Sequence, residues 1–456
     1  MTFVQKFIYF RWLFGYNTLE NSEQKQMIDK NIINHLSEES RFYIKQNNQQ
    51  KLSIISERIQ SSIDLLQNPN NCSNAMIMAC PNVGPDWGIG FMIEMIILCF
   101  INAIKSGRTM ILINENVKLF KFNVKWSEIF KSISNCSFGE HVQPFLPINE
   151  YKEPGQTDRI TVFNSEKVGF EAAPLEAKNF LLKYHSNPVL WFYGQLLKYI
   201  WRENDEILKV INQTVSKIPF ACGPVVGIHV RRTDKIKEAK FFGLDDYMKW
   251  VENWFDVNEE NYQNNHPIPS NCSNKRMLFV AADLPDIKHI AKEIENKWGD
   301  KYEIYHGKVF RDKKQFESKK ALIEILGVYH ILSKCQFLVC TFSSNTCMRI
   351  YELMQSFHGD ASENAHSLDY FYGISKELEA TTEYKPKHEH PIMPEELWAE
   401  KGDKISALSP LHNDGFVRAK NINSNREGNF PMFLLKKHTI FEKFSAFDNI
   451  KESDIH

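Results

Sequence analysis

Short apolar runs alternate with amphipathic segments through the second half of the chain. The runs are rich in Val, Leu, Phe and Ala, which is typical of strands that are buried on both faces. The predicted strands are Val225–Val230, Met277–Ala282, Tyr302–Tyr305 and Gln336–Thr341, and the predicted helices are Leu244–Phe255, Pro285–Trp298, Lys320–Leu332 and Asn345–Phe357. Alternating strands and helices favour a parallel, doubly wound sheet with right-handed crossovers. We therefore predict a Rossmann-like α/β domain over residues 221–383.

The first half of the chain begins with a polar segment and then changes character. Up to residue 73, apolar residues recur at helical spacing among Asn, Gln, Glu and Ser, which predicts amphipathic helices. These helices pack as a hairpin on their own domain, or they form an arm for self-association, which is what the family resemblance given below implies. The elements predicted next are a strand at Ala75–Cys80, a glycine-containing turn, a helix at Phe91–Ile104, a strand at Thr109–Ile113 and a helical region at Leu175–Ile218. This βαβ pattern predicts a second open-sheet α/β domain over residues 74–220.

The C-terminal part has a third pattern. From residue 384 to residue 440, short strand-like runs and turns follow one another at regular spacing, which predicts a small β domain. Residues 441–456 are predicted to be a frayed tail.

Composition narrows the range of functions. The chain has 456 residues, enough for two or three domains, and a formal net charge of -1. This charge balance gives no reason to expect a nucleic acid or an anionic membrane as partner, so any anion site must be local. A membrane span is not evident, because the apolar stretch Phe7–Phe14 is short and Arg11 interrupts it. Four Asn-X-Ser/Thr sequons favour a secretory-pathway protein.

Polar residues gather where two predicted strands end. The run Arg231-Arg232-Thr233-Asp234-Lys235 follows the strand Val225–Val230 directly. Open α/β sheets bind ligands beyond the carboxyl ends of their strands, and a planar guanidinium matches the oxygens of a phosphate. The run therefore predicts an anion site, and a solvated loop with a surface ion pair is the alternative.

Two further turns could contribute backbone N–H groups to an anion. Ser343 and Ser344 fall at a strand-to-helix turn, where a helix N-terminus can hold a phosphate. The alternative is a simple serine N-cap. Gly88 and Gly90 lie in the first turn of the N-terminal βαβ unit, where a plain tight turn is equally compatible with the pattern.

Three motifs together resemble those of the eukaryotic α-1,6-fucosyltransferases, which add core fucose to N-glycans. They are His229-Val-Arg-Arg-Thr-Asp-Lys235, the run Phe337–Gln355 that contains Cys-Thr-Phe-Ser-Ser-Asn, and the run Asp360–Asp369. Weaker similarity extends from about residue 79 to about residue 436. The resemblance implies a two-domain GT-B-like α/β glycosyltransferase with an N-terminal helical arm and a C-terminal Src-homology-3-like β-barrel. It also implies a disulfide between Cys340 and Cys347.

The resemblance further implies roles for individual residues. The donor GDP-fucose would be bound by residues from both predicted α/β domains: Gly88, Gly90, His229, Arg231, Arg232, Asp234, Asp283, Ser343 and Ser344. Glu238 would be the catalytic base, with Lys235 nearby to modulate it and Arg231 on the β-phosphate. Acceptor contacts would come from Asn345, His412 and Tyr247. No acidic Asp-X-Asp triplet follows a predicted strand, so neither a metal ion nor another cofactor is expected.

Some positions depart from the family pattern. Leu284 and Val328 stand where the family has acids, and Glu324, one helical turn before Val328, is the only nearby carboxylate. Asn345 stands where the family usually has Gln. Three functions are therefore compatible with the sequence: core α-1,6-fucosylation of N-glycans, a related transfer with a different donor or acceptor, or glycan binding without catalysis. The family further implies residence in the Golgi lumen and a homodimer through the N-terminal helices.

Overall fold

The computed structural model describes the protein over most of its length. The described residues are 49–81, 88–113, 122, 124–137, 159–163, 172–231, 241–282, 287–307, 318–369, 372, 378–385, 396–408, 416–431, 434–437 and 439–450. In this part of the chain no helix is both long enough and apolar enough to cross a membrane.

The N-terminal half is built on a small parallel sheet. Its elements are α1 (residues 49–67), β1 (Ile77–Cys80), α2 (Ile89–Lys105), β2 (Thr109–Leu112), β3 (Ile160–Val162), β4 (Ala172–Pro174), α3 (Lys178–Tyr184), α4 (Pro188–Ile200) and α5 (Asp205–Val215). The strand order is β2-β1-β3, with both pairs parallel. The predicted βαβ unit is therefore present, and α2 covers one face of its sheet.

The helical region predicted at Leu175–Ile218 is divided into α3, α4 and α5. Asn187 and Asn204 are the N-cap residues of α4 and α5. The side chain of each accepts a hydrogen bond from a backbone N–H of the helix that follows, at 3.1 and 3.0 Å. Pro188 occupies the first turn of α4, where its missing N–H is not needed.

The second half contains a five-stranded, fully parallel sheet. Its elements are β5 (Val225–Val230), α6 (Leu244–Asn265), β6 (Arg276–Ala282), α7 (Ile287–Trp298), β7 (Tyr302–His306), α8 (Lys319–Lys334), β8 (Phe337–Cys340), α9 (Asn345–His358) and β9 (Ala365–Ser367). The strand order is β7-β6-β5-β8-β9, which confirms the predicted doubly wound sheet. Helix α6 runs ten residues past its predicted end at Phe255, because the later residues are more exposed and lack the apolar stripe that marks a packed helix.

Side chains of β5 alternate between two cores. Val226, Ile228 and Val230 join the cluster under α6 and α7, whereas Val225 joins the cluster under α8 and α9. Gly227 faces α8 so closely that a Cβ there would lie 2.5 Å from Leu332 Cδ2. The cluster under α8 and α9 continues into α2, α4 and α5, so one hydrophobic core extends across the domain boundary predicted at residue 220.

Helix α1 packs on its own chain through its apolar stripe. Leu52, Ile55 and Ile59 are buried, and the amide of Gln60 donates to the Gln195 carbonyl of α4 at 2.8 Å. Of the two interpretations of the N-terminal helices, packing on the same domain therefore holds for residues 49–67.

The C-terminal part forms an antiparallel sheet. Its strands are β10 (Leu378–Ala380), β11 (Lys404–Ala407), β12 (Phe416–Asn421), β13 (Arg426–Pro431) and β14 (Leu435–Lys437), in the order β13-β12-β11-β10-β14. The sheet begins before the predicted start at residue 384, because β10 pairs with both β11 and β14. Inward-facing apolar residues of these strands form a separate small core.

Four disulfides tie the chain together. Cys340 is paired with Cys347, as the family resemblance implied. The other pairs are Cys72–Cys136, Cys80–Cys99 and Cys222–Cys272, and Cys335 is a buried free thiol.

The predicted frayed tail is wrong for residues 441–450. Strand β15 (Ile440–Glu442) pairs in parallel with β4 of the N-terminal half. Phe444 and Phe447 follow it and are fully buried, and both rings stand edge-on to Phe192 of α4, at centroid distances of 5.1 and 6.0 Å. Burial of two aromatic rings orders this segment although most residues around them are polar.

We expect this docking to contribute strongly to stability. Phe444→Ala leaves a cavity against Phe192, and such losses typically cost about 3–5 kcal/mol of unfolding free energy. Ile440→Ala on β15 is the control, because that side chain is 41% exposed. Urea unfolding of the two variants gives the comparison. A loss below about 1 kcal/mol for Phe444→Ala would show that this segment is not part of the cooperative core.

Candidate active site

The doubly wound sheet has its topological switch point between β5 and β8. The chain proceeds from β5 to β6 and β7 on one side, and then returns to β8 and β9 on the other. A crevice opens at the carboxyl ends of two neighbouring strands whose connections run in opposite directions. Arg231 follows β5, and the β8–α9 turn (residues 341–344) follows β8, so the chain places both predicted anion-binding motifs at this crevice.

Arg231 and Ser344 meet across the switch point. The Arg231 Nη1 atom donates a hydrogen bond to the Ser344 hydroxyl at 3.0 Å, and Ser344 is fully buried. Ser344 is the N-cap residue of α9, yet its side chain makes no capping hydrogen bond. The interpretation of Ser344 as a simple N-cap is therefore wrong. The serine instead orients a guanidinium beside the positive end of a helix, whose first turn has no acidic residue.

The β8–α9 turn donates backbone hydrogen bonds to Ser367 and Asp369, at and after the end of β9. The backbone N–H of Phe342 donates to the Ser367 hydroxyl at 3.0 Å, and that of Ser343 donates to the Asp369 carboxylate at 3.3 Å. Ser367 also donates to Asp369, at 2.9 Å. The Ser343 amide is thus engaged with a protein carboxylate, and a phosphate at this turn would be held by other groups. The motif that ends in Ser-Leu-Asp369 is evident in the sequence, but its supporting role is visible only in the structure.

The N-terminus of α2 reaches the same place from the other half of the molecule. A Cβ on Gly90 would lie 2.8 Å from the Thr346 nitrogen and 2.9 Å from the Asn345 carbonyl carbon. Only glycine allows the backbones of α2 and α9 to approach this closely. Gly88, the N-cap residue of α2, is exposed and has no side chain that could cap the helix, and the first turn of α2 also has no acidic residue. Two helix N-termini without side-chain caps therefore converge beside Arg231, which favours binding of an anion with more than one charge.

Only some of the predicted site residues lie in the described part of the chain, and most of these meet at the switch point. The structure brings together residues of both halves at the switch point: Gly88, Gly90, Arg231, Ser343, Ser344 and Asn345. His229, two residues before Arg231, is 5% exposed. Other predicted residues lie outside the described part of the chain: Arg232, Asp234, Lys235, Glu238, Asp283 and His412.

Tyr247 does not fit its predicted role as an acceptor contact. It is 1% exposed and belongs to the core between α6 and the sheet. Its ring is enclosed because the face of α6 that carries Tyr247 and Val251 packs on the sheet. The family resemblance implied the acceptor role of Tyr247, but a resemblance in sequence does not show which way a helix faces.

Val328 lies at the carboxyl edge of the same sheet, away from the switch point. A Cβ on Gly307, the residue after β7, would lie 2.9 Å from Val328 Cγ2. Glu324, one turn earlier on α8, is partly buried. An apolar side chain thus stands beside β7 at the position where the family has an acid.

We expect the contact between α2 and α9 to be sensitive to one methyl group. Gly90→Ala pushes the new Cβ against two backbone atoms that cannot rotate away, and overpacking of this kind typically costs about 1–3 kcal/mol. Binding of GDP, the ligand expected from the resemblance, should weaken as the helix ends separate. Gly88→Ala is the matched control, because no heavy atom of the described residues lies within 4 Å of a Cβ there and its φ of -70° suits alanine. Calorimetric titration with GDP tests the pair, and equal affinities would contradict this account of the site.

Comparisons with known proteins identify the family. Residues 16–373 match the family described as alpha-(1,6)-fucosyltransferase N- and catalytic domains. The chain is 30% identical over 426 residues to the alpha-(1,6)-fucosyltransferase of Caenorhabditis elegans, covering 90% of this chain and 71% of that protein. It is 28% identical over 411 residues to the alpha-(1,6)-fucosyltransferase of Drosophila melanogaster, covering 87% of this chain and 62% of that protein.

A solved structure is also similar in part. It is the crystal structure of the NodZ alpha-1,6-fucosyltransferase soaked with GDP-fucose, with a TM-score of 0.36 and 11% identity over 61% of this chain and 92% of that one. This likeness is too low to add to the argument. The family match and the identity to the nematode relative, which agree with the three motifs, show that the chain belongs to the α-(1,6)-fucosyltransferase family.

Proposed function

We propose that the protein transfers L-fucose from GDP-fucose, with inversion, to O6 of the innermost GlcNAc of N-glycans. Membership of the α-(1,6)-fucosyltransferase family supports the reaction class. The observation that carries the proposal is the Arg231–Ser344 hydrogen bond at the meeting point of two helix N-termini without side-chain caps. A site of this kind suits a diphosphate, which is the leaving group of a nucleotide sugar.

The leaving group needs positive charge as the glycosidic bond breaks. Arg231 would face the β-phosphate with its planar fork, and the N–H groups at the starts of α2 and α9 would add fixed dipoles. Arg232, Asp234 and Asp283 would complete the donor site from the neighbouring loops. We propose that no metal ion is required, because side chains and helix ends supply the charge that a cation would otherwise provide.

The attacking hydroxyl needs a base. Glu238 is the first carboxylate after the run Arg231–Lys235 that matches the family's glutamate, and Lys235 lies close to it in sequence. A hydroxyl that attacks the sugar carbon becomes strongly acidic as the new bond forms, so a carboxylate within hydrogen-bond reach can take its proton. We assign this role to Glu238.

The acceptor site would include the C-terminal β domain. We propose that the antiparallel sheet closes as a Src-homology-3-like barrel and that His412 and Asn345 contact the glycan. A truncation that ends the chain before this domain is a poor test, because it also removes Phe444 and Phe447, which complete the core of the N-terminal half. The single substitution His412→Ala tests acceptor binding without removing these two core residues.

Cellular location and assembly follow from the same proposal. Eight of the nine cysteines are in disulfides, which suits an oxidising compartment such as the secretory pathway, where N-glycans are found. Residence in the Golgi lumen and a homodimer through the N-terminal helices stay proposals from the resemblance.

A direct transfer assay tests the function. The purified protein is incubated with GDP-fucose and an N-glycan acceptor, in EDTA and in Mn²⁺, and the linkage of the product is determined by mass spectrometry and NMR. The proposal expects fucose on O6 of the innermost GlcNAc under both conditions. GDP binding without transfer to this acceptor would contradict the acceptor assignment, and absence of GDP binding would contradict the donor site itself.

We expect Glu238→Gln to separate chemistry from binding. The amide keeps the shape of the side chain but removes its basicity, so single-turnover transfer should fall by about a hundredfold to ten-thousandfold while GDP affinity stays near normal. Asp245→Asn is the control, since that acid is exposed at the start of α6 and 75% of its side chain is accessible. An unchanged single-turnover rate in Glu238→Gln would remove Glu238 from the mechanism and make Asp234 the next candidate.

A further inference from the structure

Phe342 is the apolar anchor of the β8–α9 turn. Its ring stacks on Tyr351 of α9 at a centroid distance of 5.2 Å, and it stands edge-on to Tyr372 at 5.9 Å. Tyr351 and Tyr372 are themselves edge-on, at 5.3 Å. The turn that presents Ser344 to Arg231 therefore rests on a cluster of three rings.

Both tyrosines of this cluster are fixed at their polar ends. The Tyr351 hydroxyl donates to the backbone carbonyl of Ser362. The Tyr372 hydroxyl donates to Glu352 Oε1 at 2.6 Å, and Arg349 Nη2 donates to the same oxygen at 2.7 Å. A hydroxyl that donates to a buried carboxylate is held strongly, because no water competes for the acceptor.

Glu352 lies in a small buried polar group that the reaction described above does not use. Glu352 is 0% exposed and Arg349 is 3% exposed. Glu94 of α2, Arg349 of α9 and Tyr372 after β9 act on its charge, and Tyr193 of α4 acts on Arg349 and Tyr372. Within the described residues, Glu352 Oε2 and Arg349 Nη1 make no hydrogen bond. The hydrogen bonds of the Glu352 carboxylate are therefore those that Arg349 and Tyr372 donate to its Oε1 atom.

We propose that Tyr372 and Glu352 are positioning residues for the donor site. The Glu352 carboxylate holds the Tyr372 hydroxyl, Tyr372 holds the Phe342 ring, and this ring sets the β8–α9 turn so that Ser344 receives the Arg231 guanidinium. This inference rests on the proposed function, because it assumes that GDP binds at the turn. Neither residue need touch the ligand to control its affinity.

Tyr372→Phe is the central test, because it removes one hydroxyl and leaves the ring in place. We expect the Kd for GDP and the KM for GDP-fucose to rise about three- to tenfold, as the loss of a hydrogen bond to a charged group allows, with kcat changed less than twofold. Tyr384→Phe is the matched control. Its hydroxyl donates to the Glu396 carboxylate at 2.7 Å, and its ring packs against the small core of the antiparallel sheet, so it loses the same kind of bond away from the turn.

A second variant tests the role of the carboxylate charge. Burial, the largest cause, raises the pKa of Glu352 to about 7, partly opposed by Arg349 and by the hydrogen bond from Tyr372. Glu352 therefore gains its charge as the pH rises through about 7, so its charged form is more populated at pH 8 than at pH 6. Glu352→Gln resembles the protonated form, so its Kd for GDP should exceed that of the wild type at pH 8 and approach it at pH 6. At each pH we compare the Kd of Glu352→Gln with that of the wild type. The protonation of GDP affects both values equally, so it does not change their ratio.

The outcomes distinguish this inference from the proposed function. If the wild-type protein does not bind GDP, the donor site is wrong. If it binds GDP, and Tyr372→Phe binds GDP as tightly as wild type and Tyr384→Phe do, then the positioning role is wrong and the donor site stands. A ratio for Glu352→Gln that is the same at pH 6 and pH 8 would overturn the assignment to the carboxylate charge.

Discussion

Two helix N-termini are held close together at the crevice of this structure. Helix α2 belongs to the small sheet and α9 to the large one, and they meet where Gly90 contacts Asn345 and Thr346. Two positive helix ends repel each other unless a negative group lies between them or close by. The fold tolerates this unfavourable arrangement because the hydrophobic core beneath it is continuous, from α2 and α4 through α9 to Phe444 of the C-terminal segment. Packing far from the site therefore keeps an anion-binding geometry in place.

The groups around the crevice have different roles. Ser344 orients Arg231 instead of capping its own helix, and Asp369 and Ser367 hold the turn through backbone N–H groups. The aromatic cluster below supports the same turn through Phe342. The donor site that we propose is therefore organised before the ligand arrives, which would lower the reorganisation needed when charge develops on the leaving diphosphate.

Much of this could be predicted from the sequence, for identifiable reasons. Buried parallel strands leave a clear pattern, and the carboxyl ends of β5 and β8 are adjacent in a doubly wound sheet, so the meeting of Arg231 with the turn at Ser344 followed from local signals. The contact of Gly90 with α9 could not be predicted, because it joins two halves whose packing no local pattern records. The acceptor role implied for Tyr247 does not fit the structure, because the resemblance does not define which face of α6 is buried. Phe444 and Phe447 were missed because two aromatic residues in a polar segment give little periodic signal.

We propose that Ser344 acts on the ligand through Arg231. A double-mutant cycle measures this most directly, with GDP affinities for the wild type, Arg231→Ala, Ser344→Ala and the double variant, determined by calorimetry at one salt concentration. We expect Ser344→Ala to weaken binding in the wild-type background but to have little further effect once Arg231 is absent, which is a coupling of about 1 kcal/mol or more. Strictly additive losses, or GDP affinity unchanged in Arg231→Ala, would contradict it.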